Sequence, residues 1–302
     1  MDRSRHLPPW FCQPVPRRER VEKMKDSFEA LGIHTVCQSS HCPNLGRCWE
    51  QGTATFMILG GVCTRACRFC AVPSGSPKPV NDGEPEAVAE AVKRLGLDHA
   101  VVTSVTRDDL DDQGAAFFVR TIQAIRRRDP RIKVEVLVPD FFGKKEIIAS
   151  VAQALPEVMA HNIETVRRLT PVLRPQADYA RSLSVLKTIK EAQRSVVVKS
   201  GMMLGLGETP REVKETMQEL YDSGCDLLTI GQYLAPSKAG RHVRVERFPS
   251  LQEFADHEHH ARAIGFKHVV SAPLVRSSYL AHEAYQACAR PERELSLAKA
   301  CA

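Results

Sequence analysis

Short apolar runs alternate with amphipathic stretches along most of the chain. The apolar runs predict strands, and the stretches of helical periodicity predict the helices between them. Strands are predicted at 55–59, 99–105, 133–138, 158–162, 195–203, 226–233 and 268–275, and helices at 86–95, 114–128, 144–155, 178–193, 211–223 and 251–264. Continuous apolar strands separated by helices are typical of a parallel sheet that is covered on both faces.

The number of strand–helix units indicates an open barrel. Six units and one further strand-like segment are too few for a closed eightfold barrel. The predicted fold class is α/β, a partial (β/α)6 TIM-type barrel over residues 51–275. An N-terminal extension (1–50) and a C-terminal helical extension (276–302) flank it. In such a fold, functional residues are expected at the carboxyl ends of the strands.

Two cysteine triplets stand close together in the sequence. Cys37, Cys42 and Cys48 follow the spacing C-x4-C-x5-C, and Cys63, Cys67 and Cys70 follow C-x3-C-x2-C directly after the first apolar run. Thiolates are the preferred ligands of iron–sulfur clusters. Three thiolates leave one iron of a 4Fe–4S cluster without a protein ligand, and that iron is available to the amino and carboxylate groups of S-adenosylmethionine.

Zinc is the alternative at both triplets. Cysteines in a zinc site usually come as two separated pairs, and they close a tetrahedron of four ligands. In the first triplet His41 is a candidate fourth ligand, but it adjoins Cys42 and is poorly placed to share an ion with it. Cys225 is predicted to be a packed core thiol and Cys12 a bystander.

Polar residues follow several of the predicted strands. The candidates for contact with a zwitterionic ligand such as S-adenosylmethionine are Asn162, Glu164, Lys199 and Glu208. Each has a structural alternative in a loop or a tight turn. Asp108 and Asp109 also follow a strand, and a helix cap is their structural alternative. The pair Ser277-Ser278 has the same alternative.

Composition narrows the possible partners. The net charge is +6, from 42 basic and 36 acidic residues, and no aromatic residues interleave with the basic runs. This pattern argues against nucleic acid and suits an acidic protein partner. No apolar run approaches the roughly 20 residues of a membrane span. The start of the chain lacks the apolar core of a secretory signal, so a cytoplasmic location without membrane association is expected.

Taken together, these motifs resemble the lipoyl synthase family of the radical S-adenosylmethionine superfamily. The resemblance covers about residues 30–282. It rests on both triplets and on Gly52–Gly60, Thr103–Val105, Arg107–Leu110, His161–Glu164, Lys199–Gly201, Gly205–Thr209, Gly231–Leu234 and Arg276–Tyr279.

The resemblance implies a radical sulfur-insertion enzyme. A cluster on Cys63, Cys67 and Cys70 would bind S-adenosylmethionine and generate a carbon radical. A second 4Fe–4S cluster, on Cys37, Cys42, Cys48 and Ser278, would donate two sulfur atoms to carbons 6 and 8 of an octanoyl group. Adjacent residues of an extended chain point to opposite sides, so Ser277 and Ser278 are not both expected to be ligands.

The same resemblance implies the partners. The substrates would be octanoylated lipoyl carrier domains, such as the glycine cleavage H protein and the acyltransferase subunits of 2-oxoacid dehydrogenases. A flavodoxin or ferredoxin-type reductant and an iron–sulfur carrier protein would also bind. This chain departs from the family at Cys12, where a basic residue is usual, and at Gln38–Ser40, where an acidic residue is usual. The rival functions are another sulfur-inserting enzyme of the superfamily and a non-catalytic iron–sulfur or zinc protein.

Overall fold

Eight strands form one sheet in the structure, a computed structural model that describes residues 7–51, 53–237 and 240–289. The strands are His34–Thr35 (β1), Thr55–Ile58 (β2), His99–Ser104 (β3), Lys133–Leu137 (β4), Val158–Ala160 (β5), Val197–Leu204 (β6), Leu227–Gln232 (β7) and His268–Ser271 (β8). They are neighbours in sequence order. Strands β2 to β8 run parallel, and β1 pairs antiparallel with β2.

Helices connect the parallel strands and flank the barrel. They are Arg18–Ala30 (α1), Val36–Ser39 (α2), Leu45–Glu50 (α3), Glu84–Arg94 (α4), Ala115–Arg128 (α5), Lys145–Gln153 (α6), Thr170–Leu173 (α7), Tyr179–Ala192 (α8), Pro210–Asp222 (α9), Leu251–Ile264 (α10) and Ala281–Ala289 (α11), with 3-10 turns at Pro9–Phe11 and Phe141–Gly143. Local sequence sets the ends of α10. Ser250 and Glu253 form a capping box at its start, and Gly265 ends it with φ of 119°.

The two faces of the sheet have different environments. Val102, Val136 and Val198 alternate onto the outer face, where they are fully buried in the main core with the helices. On the inner face, Val197 near the start of β6 belongs to a small apolar cluster with Ala284 of α11. The C-terminal helix therefore closes the amino end of the barrel and leaves the carboxyl end for the site.

The predicted open α/β barrel is confirmed. In the N-terminal extension, the stretch around the first triplet contains two short helices, α2 and α3. Thr35 explains the first of them, because its hydroxyl caps the helix by accepting a hydrogen bond from the Gln38 N–H at 3.4 Å. Strand β1 joins this extension directly to the sheet.

Some expectations fall on residues that are not described. The chain start at 1–6, Gly52, and the tail from 290 to 302 lie outside the described residues. Within the described ranges, the helices are all too short or too polar to cross a membrane.

Candidate active site

The loop with Cys63, Cys67 and Cys70 leaves the carboxyl end of β2 and is held by backbone hydrogen bonds to neighbouring loops. The Thr64 N–H donates to the Thr106 carbonyl at 3.0 Å, and the Arg68 N–H donates to the Leu173 carbonyl at 2.8 Å. The thiol-bearing loop is thus tied to the loops that follow β3 and β5. Its path depends on the fold of the whole sheet and not on local sequence alone.

Arg65, inside this loop, is a buried clamp. Its guanidinium makes two hydrogen bonds to Asp108, both at 2.8 Å, and two to Asp140, at 2.9 and 2.7 Å. Arg181 is a second cation beside Asp140, and its guanidinium lies 3.2 Å from that carboxylate. Although burial opposes ionisation, the bonds and charge of Arg65 lower the pKa of Asp140 to about 2. The clamp fixes the loop against the ends of β3 and β4.

Cys63 and Cys67 lie close enough to Cys70 to affect the pKa of its thiol. Burial raises the pKa of Cys70 to about 12, and the charges of Cys67 and Cys63 contribute to the rise. Backbone N–H groups of Arg65 and Thr106 lie 3.4 and 3.3 Å from the Cys63 sulfur. Donors directed at a sulfur ligand are a means of tuning an iron–sulfur cluster. Iron would supply the positive charge that these buried thiolates need.

The first triplet of the sequence, Cys37, Cys42 and Cys48, lies on the short N-terminal helices. Cys37 is in α2, Cys48 is in α3, and Cys42 lies between them. Burial raises the pKa of Cys48 to about 12, and the charges of Cys37 and Cys42 add to this rise, so the three thiols are neighbours. Among the described residues, however, no three His, Cys, Asp or Glu side chains surround a single-ion position.

A buried donor lies beside this N-terminal triplet. The indole N–H of Trp49 makes no hydrogen bond of good geometry to another group in the described part of the chain, but it lies close to the Cys37 thiol. Burial raises the pKa of the Cys37 thiol, while a hydrogen bond from the Thr55 backbone and the nearby Trp49 side chain act to lower it. An N–H donor beside a cysteine sulfur suits a site in which that sulfur binds a metal cluster and not only a proton. The donor set of this triplet fits an iron–sulfur cluster.

The segment after β8 connects the two triplets. The Thr55 hydroxyl donates to the Ser278 hydroxyl at 2.7 Å, and the Thr55 backbone is also a neighbour of the Cys37 thiol. In contrast, Ser277 accepts a hydrogen bond from the Asn162 side chain at 2.6 Å. The two serines thus point in different directions, as predicted. They lie in a turn, however, and not in an extended segment.

Asn162 and Glu164 lie beside the cysteines that follow β2, Cys63, Cys67 and Cys70, which we call the barrel triplet. The Asn162 amide donates to the Glu164 carboxylate at 3.1 Å, and Glu164 contributes to the raised pKa of Cys67. The Asn162 side-chain oxygen is buried and has no hydrogen-bond partner in the described residues. Gly201 opens the space in front of it, since a Cβ there would lie 3.0 Å from that oxygen and 2.6 Å from the Thr229 hydroxyl. The arrangement leaves two acceptors for an ammonium donor.

Comparison with known proteins adds sequence similarity to this geometry. The model of the Radical SAM superfamily matches residues 57–220. The lipoyl synthase of Rubrobacter xylanophilus is 51% identical over 283 residues, which cover 93% of this chain and 88% of that protein. That of Caldanaerobacter subterraneus is 52% identical over 261 residues, or 86% of this chain and 91% of that protein. The chain belongs to the lipoyl synthase family.

Two solved structures share the fold at low sequence identity. Streptococcus suis SuiB bound to S-adenosylmethionine is 11% identical with a TM-score of 0.53, covering 72% of this chain and 50% of that one. Methylornithine synthase (PylB) is 12% identical with a TM-score of 0.52, covering 87% and 81%. Membership of the lipoyl synthase family makes this chain a radical S-adenosylmethionine sulfurtransferase, as the sequence predicts. A 4Fe–4S cluster and S-adenosylmethionine are the cofactors of that superfamily.

Lys199, which is expected to contact the ligand, lies inside the barrel. It is the third residue of β6, towards the amino end of the barrel, and it is fully buried. Its ammonium donates to Glu135 at 2.7 Å, and His99 lies 3.7 Å from the same carboxylate. A lysine this deep, paired in this way, is part of the barrel interior of this lipoyl synthase family member.

Glu208, also expected to contact the ligand, forms backbone hydrogen bonds. Its two carboxylate oxygens accept the backbone N–H groups of Gly205 and Leu206, at 2.7 and 2.8 Å. Glu208 therefore shapes the turn after β6. This is the tight-turn alternative that the glycines at 205 and 207 had left open.

Sequence reasoning missed Arg65 and misread Asp108. The partners of Arg65 are 43 and 75 residues away in sequence, so no local pattern connects them. A helix cap is one alternative for Asp108 or Asp109, but in the structure Asp108 binds Arg65, while Asp109 binds Arg107 at 2.8 Å. The one sequence signal for a role of Arg65 is its position between two expected ligands, Cys63 and Cys67.

Two thiols outside the triplets are placed as expected. Cys225 is buried, and its sulfur lies 3.2 Å from the Leu227 carbonyl, which confirms a packed core thiol. Cys12 is exposed.

Proposed function

We propose that this chain inserts two sulfur atoms, at carbons 6 and 8, into an octanoyl group that is amide-linked to a lysine of a lipoyl carrier domain. The observation that carries this proposal is the placement of two thiol triplets around one polar segment. Ser278 of that segment accepts from Thr55, whose backbone contacts the Cys37 thiol, and Ser277 accepts from Asn162, near the Cys63 loop. An acyl chain at this place would reach both.

Cys63, Cys67 and Cys70 would hold the cluster to which S-adenosylmethionine binds. When bound, that pair of cofactors supplies one-electron cleavage of the sulfonium and a radical that removes hydrogen from an unactivated carbon. The protein's own contribution is to hold the loop. Arg65 and the backbone bonds to Thr106 and Leu173 keep the three thiols in fixed positions at the carboxyl end of the barrel.

Asn162 and Glu164 would orient the amino group of S-adenosylmethionine. Burial raises the pKa of Glu164, while the charge of Arg174 and the Asn162 amide act to lower it. A bound ammonium group would complete the set of partners around the carboxylate and the unpaired Asn162 oxygen. Since Gly201 lacks a side chain, the ligand can approach both groups.

The second cluster is a substrate in this proposal, because it is the source of the sulfur. Cys37, Cys42, Cys48 and Ser278 would hold it. A serine oxygen is a harder and weaker ligand for iron in such a cluster than a thiolate, which would favour release of one iron as sulfur leaves. The Ser278 hydroxyl accepts a hydrogen bond from Thr55, whose backbone also contacts the Cys37 thiol, and this contact supports its assignment to the triplet.

A long segment after β7 covers the carboxyl end of the barrel and would exclude water from the reaction. The Tyr233 hydroxyl donates to the Val243 carbonyl at 2.8 Å, and the Val243 N–H donates to the Arg68 carbonyl at 3.0 Å. We refer to the described residues of this segment, 233–237 and 240–250, as the strap. Its apolar residues pack with Phe69 and Leu173 beside the cysteine loop.

The remaining partners follow from this chemistry. A flavodoxin or ferredoxin-type reductant would supply electrons, and an iron–sulfur carrier protein would restore the consumed cluster. We expect the enzyme to act in the cytoplasm, a reducing compartment in which the triplets stay free of disulfides.

Anaerobic turnover tests the proposal. The reconstituted protein is incubated with an octanoyl-lysine peptide, dithionite and S-adenosylmethionine, and the peptide mass is measured. The expected product carries two added sulfur atoms, and about eight irons are expected per chain. A peptide that returns without sulfur would refute the assignment, and stoichiometric zinc would support the non-catalytic alternative.

Two matched variants separate the roles of the triplets. Cys70→Ala is expected to abolish 5′-deoxyadenosine formation and sulfur insertion together. Cys48→Ala should still form 5′-deoxyadenosine but should add no sulfur. Both should retain about four irons, whereas Cys225→Ala should retain about eight.

A further inference from the structure

The segments around the two triplets contain no carboxylate. Residues 36–49, 60–80 and 233–245 include no Asp or Glu, although acidic residues make up 36 of the 302 residues of the chain. The same segments carry four exposed arginines, Arg47, Arg68, Arg241 and Arg244. In the described residues, none of the four lies within ion-pair distance of a carboxylate.

Exposed arginines elsewhere are mostly paired. Arg120 lies 2.8 Å from Asp82, Arg127 lies 2.5 Å from Glu86, and Arg211 lies 2.7 Å from Glu215. In the described part of the chain, the other exposed arginines without such a partner are Arg20 and Arg194. Unpaired arginines are therefore concentrated near the triplets.

Contacts between the segments join the loops that carry these arginines. Arg241 donates to the Ala71 carbonyl at 3.0 Å, next to Cys70. The backbone bond from Val243 to Arg68 places Arg244 beside the same loop. The first triplet joins this face through His41, whose ring lies 3.4 Å from the Pro236 carbonyl of the strap. We refer to Arg47, Arg68, Arg241 and Arg244 as the arginine face.

We propose that the arginine face is the docking surface for the octanoylated carrier domain, and that it binds carboxylates around the acyl-lysine of that domain. The inference rests on the proposed function. Guanidinium groups bind carboxylates through paired hydrogen bonds, and a surface of one charge sign steers an oppositely charged partner. Because the segments that carry the face contain no carboxylate, its guanidinium groups have no competing ion pair there and can form one with that partner.

The position of the face favours the carrier domain over the reductant. The arginines extend from Arg47, next to Cys48, to Arg68, between Cys67 and Cys70. An electron donor needs to approach only the cluster that binds S-adenosylmethionine. The acyl-lysine must reach both triplets, so its carrier has to cover both loops.

Binding of an octanoylated glycine cleavage H protein to the reconstituted enzyme tests the inference. Its dissociation constant is measured for the wild type, Arg68→Glu, Arg244→Glu and the matched control Arg194→Glu, which makes the same change of charge between α8 and β6. Arg68→Glu and Arg244→Glu are each expected to weaken binding about fivefold or more. Raising the salt from about 50 mM to about 300 mM should reduce these differences.

The other possible results contradict either the inference or the proposed function. Wild-type affinity in Arg68→Glu and Arg244→Glu, or an equal loss in Arg194→Glu, would overturn the inference. Variants that lose affinity for a flavodoxin but keep it for the H protein would assign the face to the reductant and overturn it as well. Turnover of a short uncharged octanoyl-lysine peptide by the wild type is measured separately. Its failure would contradict the proposed function, whatever the binding results.

Discussion

The hydroxyls of Ser277 and Ser278 are neighbours in sequence but contact opposite sides of the site. Ser277 accepts from the Asn162 amide at 2.6 Å, and Ser278 accepts from the Thr55 hydroxyl at 2.7 Å. One serine thus belongs with the barrel lumen and the other with the N-terminal triplet. The turn between β8 and α11 joins the two halves of the site.

This difference predicts different losses for the two alanine variants. Ser278→Ala is expected to lower the iron retained by the first triplet, since it removes a proposed ligand. Ser277→Ala should keep about eight irons per chain, because it removes only a hydrogen bond from Asn162. Iron and sulfide are measured after anaerobic reconstitution. Equal iron content in the two variants would show that Ser278 is not a ligand.

The clamp at Arg65 is expected to contribute to stability as well as to loop position. Arg65→Lys keeps the charge but cannot make the paired bonds to both Asp108 and Asp140. Because these groups are buried, the substitution should lower the free energy of unfolding by about 2–3 kcal/mol. Urea unfolding of the apoprotein measures this loss.

A matched substitution controls for the chemistry of the Arg65 variant. Arg131→Lys alters an arginine whose pairing with Asp129 at 2.7 Å is exposed, so it should leave the unfolding curve almost unchanged. Iron bound by the Cys63 loop should fall in Arg65→Lys alone. If both variants unfold like the wild type, the clamp is not a structural determinant.

The sequence predicted elements whose signals are local. Helix α10 has the predicted bounds, because Ser250, Glu253 and Gly265 mark both of its ends. Asn162 is predicted to contact a ligand, and the structure has it after β5, bonded to Glu164. Lys199 lies inside β6, where Glu135, 64 residues away, pairs with it. Contacts at that separation leave no periodic pattern.

Buried His161 predicts a loss of stability in mild acid. Its Nδ1 lies 2.9 Å from the Val138 carbonyl, and burial, with the charge of Arg174, lowers the pKa of His161 from 6.5 to about 4. The unfolded chain therefore binds a proton below pH 6.5 that the folded chain excludes until about pH 4. The stabilisation is fully present above pH 6.5 and falls by up to about 3 kcal/mol as the pH drops through this range.

Urea unfolding at several pH values between 7.5 and about 5 measures this dependence. His161→Gln is expected to be less stable at neutral pH, since the ring contacts are lost. Its free energy of unfolding should nevertheless fall less on acidification than that of the wild type. The same fall in both proteins would assign the pH dependence to other groups.

Gly231, near the end of β7, is expected to be essential for the position of the Ser278 segment. A Cβ at this residue would lie 2.1 Å from the Val275 carbonyl oxygen and 3.3 Å from the Arg276 guanidinium, so the backbone before Ser278 would have to move. Gly231→Ala should lower the free energy of unfolding by about 1–3 kcal/mol. It should also reduce the iron bound by Cys37, Cys42 and Cys48 more than that bound by the barrel triplet. Gly240→Ala is the control, because a Cβ there meets no atom within 4 Å. Full iron content and stability in Gly231→Ala would show that the segment can shift without losing the site.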